Sequence, residues 1–276
     1  MSRPTDIPFS RMQQISPSGV FVKRFGRHGH DTPRSDAHRD DYFIIVLLTA
    51  GTAYAEIDFE RKQLNAGDIL IASPCQVHHT ADGASPNAEG WLLALSPETL
   101  SEAEALAIEE YSLSPHPFHP DESTMADIDS LCHMLEKNHN NHKIANALGS
   151  AVKSFVLSAL DTSDKNSSDR YKTITLKLKN LLDTHLSIEK NPSAYAYMLN
   201  ISEVYLNEAV KGATGLSVGA YIRGRVILQA KRQLTYTSLS AKEIACNLGY
   251  EDYAYFSKLF RKMEGVSPSE YRKNLK

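Results

Sequence analysis

Ser240-Ala241-Lys242-Glu243-Ile244-Ala245-Cys246-Asn247-Leu248-Gly249-Tyr250-Glu251-Asp252-Tyr253-Ala254-Tyr255-Phe256-Ser257-Lys258-Leu259-Phe260 is the stretch from which the fold of this chain can be read. Ser240 and Glu243 stand at the spacing of a capping box, which satisfies the free amides of a helix start. Ile244, Ala245 and Leu248 then form an apolar stripe. Gly249 can supply the positive φ that ends the helix, and Asp252 is a natural N-cap for the next one. In that next helix Phe256, Leu259, Phe260 and Met263 fall on one face, leaving Tyr253, Ala254, Ser257, Lys258 and Arg261 mostly on others. Two short helices about a tight turn describe a helix-turn-helix.

The same unit occurs earlier in the chain. Tyr205 and Tyr255, Lys211 and Arg261, Gly215 and Gly265, Ser217 and Ser267, and Tyr221 and Tyr271 are all fifty residues apart. One offset shared by so many positions implies a duplicated structural unit. Asn191-Pro192 caps and opens a helix through Leu199, Asn200-Ile201 turns, and Ser202 caps the following helix. The buried side there would be Leu206, Ala209 and Val210, with Val204, Asn207 and Glu208 on the open side. A longer helix, Tyr221–Leu234, would connect the two units.

Charge separates this region from the rest. Residues 1–165 hold 13 Lys and Arg against 23 Asp and Glu, and residues 166–276 hold 17 against 10, within a formal net charge of −3. Ten of the eleven histidines lie in the first part. A basic end on an acidic partner suggests that one end meets a polyanion. Asp161–Asp169 has no apolar residue and is rich in turn formers, so the join is placed there, with domains at 1–160 and 170–276 and a linker at 161–169.

Residues 1–160 change character partway. Phe43–Leu48 is an unbroken β-favouring run ended by Ala50-Gly51, Ala53–Phe59 alternates, Asn65–Asp68 is a turn before Ile69–Ile71, and Trp91–Leu95 is another buried strand. Short strands so punctuated suggest a small β-barrel or jelly roll. After Pro97, Glu98–Tyr111, Ser123–His139 and His142–Leu160 carry helix-period apolar positions. The fold class expected is therefore multidomain, a β-barrel with trailing helices followed by an all-α tandem helix-turn-helix domain.

Composition is that of a globular protein. The chain has 276 residues, 42% of them apolar and 23% charged, which argues against a fibrous or wholly disordered chain. No apolar stretch approaches the roughly 20 residues needed to span a bilayer, and MSRPTDIPFSRMQQ lacks the apolar core of a secretion signal. Cys75, Cys132 and Cys246 match no zinc spacing and are expected to be buried thiols in a reducing cytoplasm.

The residues from Ile244-Ala245 through Gly249-Tyr250, then Tyr255-Phe256-Ser257-Lys258-Leu259-Phe260-Arg261-Lys262 and Gly265-Val266-Ser267-Pro268-Ser269-Glu270-Tyr271-Arg272, resemble the signature of the AraC/XylS family of bacterial transcription regulators. The resemblance covers Tyr171–Lys276 well and the first half more loosely. It implies a cupin-type sensing and dimerisation domain ahead of a DNA-binding domain, with both recognition helices entering successive major grooves of double-stranded DNA. Val204, Asn207 and Glu208 would face bases from the first helix, and Tyr253, Ala254, Ser257 and Lys258 from the second. Asn207 suits adenine, Lys258 guanine and Glu208 a cytosine amine. Lys211, Arg261 and Lys262 lie later on their helices and would clamp phosphates. Glu208 stands where the family often has a basic residue and Val210 where it has a large aromatic, so the first module is expected to bind more weakly. Tyr205 and Tyr255 are open between packing and DNA contact.

The expected function is that of a cytoplasmic, sequence-specific transcription regulator, an activator by family habit. It would be a homodimer without catalytic residues or a cofactor, modulated by a small molecule in the barrel, with RNA polymerase as a further partner. Two alternatives stay open. In one, His38 with His78 or His79 and a carboxylate hold a metal in a cupin enzyme carrying a helical tail. His38-Arg39-Asp40 lacks the second histidine of the usual motif and His28-Gly29-His30 precedes the region, so surface or hydrogen-bonded histidines are the default. In the other, the barrel only dimerises and no effector exists.

Overall fold

The computed structural model describes residues 4–26, 34–113, 115–161 and 169–275. Most of the expected linker at 161–169, and all of His28-Gly29-His30, lie outside the described residues. The chain divides into two compact units, residues 8–165 and residues 166–276, the latter joined by the amino-terminal residues up to Ile7. Within that second unit the Ser238 N–H donates to the Pro4 carbonyl at 2.8 Å.

The first unit runs β1 (Phe9–Ser10), α1 (Met12–Ile15), β2 (Val20–Phe25), β3 (Arg39–Asp40), β4 (Phe43–Ala50), β5 (Thr52–Ile57), β6 (Glu60–Asn65), β7 (Ile69–Ala72), β8 (His78–Ala81) and β9 (Glu89–Leu95), then α2 (Glu102–Tyr111), α3 (Glu122–Lys137) and α4 (His142–Asp161). A four-stranded sheet has the order β2-β9-β4-β7 and a three-stranded sheet the order β6-β5-β8, with β1 and β3 paired separately in parallel. Ile45 stands opposite Ile71 on β7 and Leu93 on β9, which sets the register of the larger sheet. Gly51, at φ 74°, makes the tight turn by which the chain leaves that sheet from β4 and enters the smaller one as β5.

Side-chain alternation explains the layering. Phe43, Ile45 and Leu47 point with Ile69, Ile71, Trp91 and Leu93 into a core shared with Ile108 of α2, Ile128, Cys132 and Leu135 of α3, and Val152 and Val156 of α4. Ile44 and Leu48 point the other way, into a second core with Leu70, Ala72 and Ala94 of the same sheet and Ile57 and Leu64 of the smaller one. Both faces of β4 are thus covered, which is why its sequence is a solid apolar run rather than an alternating one. The buried Trp91 indole donates to Asp129 of α3 at 2.6 Å.

The expected closed cupin-type barrel or jelly roll is not formed. The two sheets end on β2 and β7 and on β6 and β8, and among the described residues no ladder joins these edges. The physical reason lies in β4: three helices cover the face that an up-and-down barrel would turn to solvent, so the sheet has no need to close on itself to bury it. The resemblance read from the sequence is corrected accordingly to a mixed β-sheet domain with trailing helices. Cys132 is buried as expected, but Cys75 and Cys246 are exposed.

The second unit is all-helical: α5 (Asp169–His185), α6 (Pro192–Met198), α7 (Glu203–Thr214), α8 (Val218–Tyr236), α9 (Ala241–Asn247), α10 (Tyr253–Glu264) and α11 (Pro268–Asn274). Every cap read from the sequence is present. Asn191, Ser202 and Asp252 accept from the first-turn amides of α6, α7 and α10, and Ser240 with Glu243 closes a complete capping box on α9; Ser267 with Glu270, not read from the sequence, closes another on α11. Leu206, Ala209 and Val210 are fully buried, as are Phe256 and Phe260. Met263, expected on the same face, is 44% exposed because it lies in the last turn, beyond the core.

The turns of the two modules differ by one residue. Asn200 at φ 56° and Gly249 at φ 76° both take the left-handed conformation that ends their first helices, but the second turn has an extra residue before its N-cap. At Gly249 the chain also passes so near Ser187 that a Cβ would sit 1.8 Å from its carbonyl oxygen. Gly249→Ala is expected to destabilise the helical unit by more than about 2 kcal/mol. Asn200→Gly, where the backbone already has the required φ, should stay within about 1 kcal/mol. Denaturant unfolding of both variants, followed by helical circular dichroism, checks the contrast.

Candidate functional site

α7 and α10 are both twelve residues long and flank α8, which has 19 residues. At 1.5 Å per residue α8 spans about 28 Å, near the roughly 34 Å between successive major grooves on one face of a duplex. Its Val218, Ile222, Val226, Ile227, Ala230 and Leu234 are buried in a core shared by α6, α7, α9 and α10, so it holds the two modules in one body.

Arg272 of α11 closes the carboxyl end of this spacer. Its guanidinium donates to the carbonyls of Leu234 at 3.0 Å, Gln233 and Thr237 at 3.3 Å, and Leu239. A cation on the free carbonyls of a helix end is doubly favourable, through hydrogen bonds and the helix dipole. Arg225 pairs with Asp183 and so ties α8 to α5.

The outward faces carry the residues named from the sequence. On α7, Val204 is 70% exposed, and Glu208 and Lys211 are exposed. Asn207 is half-buried, and its Oδ1 accepts the Val218 N–H at 3.1 Å, so this side chain helps to start α8. On α10, Ala254, Lys258, Arg261 and Lys262 are exposed, while Tyr253 and Ser257 are half-buried. Tyr253 packs on the helical core, its ring 6.5 Å from that of Phe256. Arg261 is engaged with Glu270 at 2.7 Å. The two tyrosines of the repeat diverge: Tyr205 packs against Tyr171 and under Arg170, whereas Tyr255 is 60% exposed.

Tyr197 and Arg272 were not singled out by sequence reasoning for the places they occupy. Tyr197 is 87% exposed at the end of α6, whereas Tyr195 two residues earlier is fully buried with its hydroxyl donating to the Glu189 carbonyl at 2.7 Å. The i, i+2 spacing on a helix already separates these faces.

The first unit offers a different kind of site. A cavity of about 370 Å³ lies between its two sheets, within the range of small-molecule pockets. Its walls are apolar, with Phe21, Phe25, Ile44, Val46, Leu70 and Leu92 among them, and its polar groups include Arg34, His38, His78 and His79. Of the candidates named from the sequence, His38 and His78 are brought together, their ring centroids 4.5 Å apart. Burial, and then His78, pushes the His38 imidazole below its usual pKa. Burial, and then the Asp40 carboxylate, raises that of the Tyr42 phenol.

Comparison with known proteins places both units. A helix-turn-helix domain family matches residues 195–274, and an AraC-like ligand binding domain family matches residues 20–152. The uncharacterized HTH-type transcriptional regulator YisR of Bacillus subtilis is 37% identical over 75 residues, which is 27% of this chain and 26% of that protein. The HTH-type transcriptional activator RhaR of Mannheimia succiniciproducens is 24% identical over 252 residues, 88% of this chain and 89% of that one. Among solved structures, the C-terminal domain of AraT, a response regulator from Geobacillus stearothermophilus, is 32% identical with a TM-score of 0.35, covering 37% of this chain and 84% of that one. The chain spans between about a quarter and less than half of the length of the first curated relatives it matches. The two family matches follow the order read from the sequence, a ligand-binding domain ahead of a helix-turn-helix domain. Among the described residues no helix is long and apolar enough to cross a membrane.

Glu270 links the second module to pH. Hydrogen bonds from Ser267, with Arg261 added, hold its carboxyl down at about 2, below its ordinary 4.5. A depressed folded-state pKa contributes stability that is present above the ordinary value and lost as pH falls through the lowered one. Glu270→Gln should therefore lower the melting temperature at pH 7, and its difference from the parent should narrow as pH drops from about 5 to about 2. Thermal unfolding of both proteins across that range checks the sign.

Proposed function

We propose that the chain is a sequence-specific transcription regulator that lays α7 and α10 in neighbouring major grooves of double-stranded DNA, and whose first unit takes a small molecule in the cavity between its sheets. The observation that carries this reading is the pair of capped twelve-residue helices, held by one rigid helix of nearly one DNA turn, with Lys211 exposed near the end of the first and Arg261 and Lys262 near the end of the second.

In this reading Lys258 and Ser257 reach base edges from α10, with Tyr253 and Ala254 shaping the contact, and Lys211, Arg261 and Lys262 meet phosphates. On α7, Val204 presents an apolar contact and Glu208 an acceptor. Asn207 keeps its oxygen on the Val218 amide and offers its amide nitrogen to a base. Arg261 has first to loosen from Glu270 or bring it along, so Lys262 is the stronger phosphate contact. Activation rather than repression, dimerisation through α2–α4 and contact with RNA polymerase complete the proposal. A ligand acts as a switch only through different affinities for two arrangements of the protein.

Lys258→Ala should cost about 1–3 kcal/mol on the cognate site and relax base preference at one position. An equal loss on every sequence would demote it to a phosphate contact. Lys262→Ala should weaken binding to all sequences and reduce the salt slope by about one unit. Binding titrations on selected and random duplexes at several salt concentrations measure both. A folded protein that prefers no duplex over random competitor overturns the reading.

A further inference from the structure

His38, Asp40 and His78 offer three ligand atoms that all lie within 4.8 Å of one another. The backbone puts them there. His38 and His78 face each other across an antiparallel bridge, the His38 N–H donating to the His78 carbonyl at 3.2 Å and the His78 N–H to the His38 carbonyl at 3.0 Å. Residues so paired project side chains on the same face. Asp40 is two residues further along extended chain, so it returns to that face. Its own carbonyl is held by the Cys75 N–H at 2.9 Å.

The side-chain hydrogen bonds then decide the chemistry. His38 Nδ1 lies 2.8 Å from the Asp36 carbonyl and His78 Nδ1 3.2 Å from the Gln76 carbonyl. A carbonyl only accepts, so each Nδ1 carries the proton and donates. In the neutral ring this leaves the lone pair on Nε2, the arrangement that fixes metal-ligating histidines. The two Nε2 atoms converge on Asp40 Oδ2, at 3.9 Å from His38 and 3.2 Å from His78. Asp40 is 1% exposed, and neither of its carboxylate oxygens has a hydrogen-bond partner of good geometry. Arg34 acts on this carboxylate electrostatically, and Tyr42 both electrostatically and as a side-chain hydrogen-bond neighbour, but the Arg34 guanidinium is taken up by Asp36 at 2.5 Å. Two lone pairs and a buried carboxylate thus face one another, a costly arrangement without a cation among them. Donors about 2.0–2.1 Å from a tetrahedral ion stand about 3.3–3.4 Å apart, a spacing that His78 and Asp40 already have and that His38 reaches by closing in from 3.9 Å.

We propose that His38, Asp40 and His78 bind a divalent transition-metal ion in the wall of the cavity. Two imidazoles and one carboxylate suit zinc, cobalt, nickel or ferrous iron rather than calcium or magnesium. Because His38 and His78 line the cavity, the remaining coordination positions open onto it, where water or an anionic group of a small molecule completes the shell. The site is defined by the first unit alone and stands or falls independently of DNA binding.

The test uses the full-length protein stripped with chelator and titrated with Zn²⁺. Bound metal is counted by elemental analysis, and the unfolding midpoint is followed with and without Zn²⁺. The parent should bind one more ion than His38→Ala, His78→Ala or Asp40→Asn, and loss of a ligand should weaken binding by at least about 100-fold. Zn²⁺ should raise the unfolding midpoint of the parent and of His139→Ala, a substitution of an exposed histidine outside the trio. Co²⁺ should give a visible absorption band in the parent that Asp40→Asn, the nearly isosteric variant, reduces or abolishes. Equal metal uptake by the parent and all three variants would mean an adventitious ion elsewhere and overturn the proposal. So would a parent that takes up no Zn²⁺, since a proton would then be what holds the trio together.

Discussion

Phe43–Leu48 has no polar residue to turn toward water, and a strand of that kind must be covered on both faces. That requirement organises the first unit. One side of β4 takes the helices, with Ile45 and Leu47 against residues of α2, α3 and α4, and the other takes the second sheet, with Ile44 and Leu48 against Ile57 and Leu64. Once helices occupy one face, the second sheet needs only to lie over the other. The space left between the sheets is the cavity, and its apolar walls are the same alternating side chains.

The helical unit is governed by a related economy. Short helices of seven residues, such as α6 and α9, are not stable alone. They persist because each end is capped and each apolar stripe meets α8. With its core face occupied along most of its length, α8 behaves as a strut, and Arg272 and Asn207 secure its two ends. The same side chain can therefore serve the interface and the scaffold at once. Asn207 stands on the exposed helix, yet its oxygen starts the strut.

The two units contrast in how they treat charge. On α7 and α10 the cations lie in water, where they are available to a polyanion at little desolvation cost. In the first unit the acidic surplus is mostly at the surface, but Asp40 is carried inside by the pairing of β3 with β1 and by the Cys75 contact. A buried carboxylate short of well-formed hydrogen bonds is a state that proteins keep only where something else compensates it.

The local features of the helical unit were legible in the sequence because they are short-range. Ser240 with Glu243, Asp252, Asn200 and Gly249 end or start their helices through neighbours two or three residues away, and the fifty-residue repeat needs no three-dimensional knowledge. The layering of the first unit was not legible in the same way. An apolar run such as Phe43–Leu48 says that both faces are buried but not whether helices or another sheet cover them, and a closed barrel was the wrong choice between these. The convergence of His38, Asp40 and His78 was likewise decided by tertiary structure. His38 and His78 are forty residues apart and meet through one antiparallel bridge. Asp40 looked like the place where a second histidine was missing, because sequence shows a residue's identity but not the burial that makes a carboxylate a ligand.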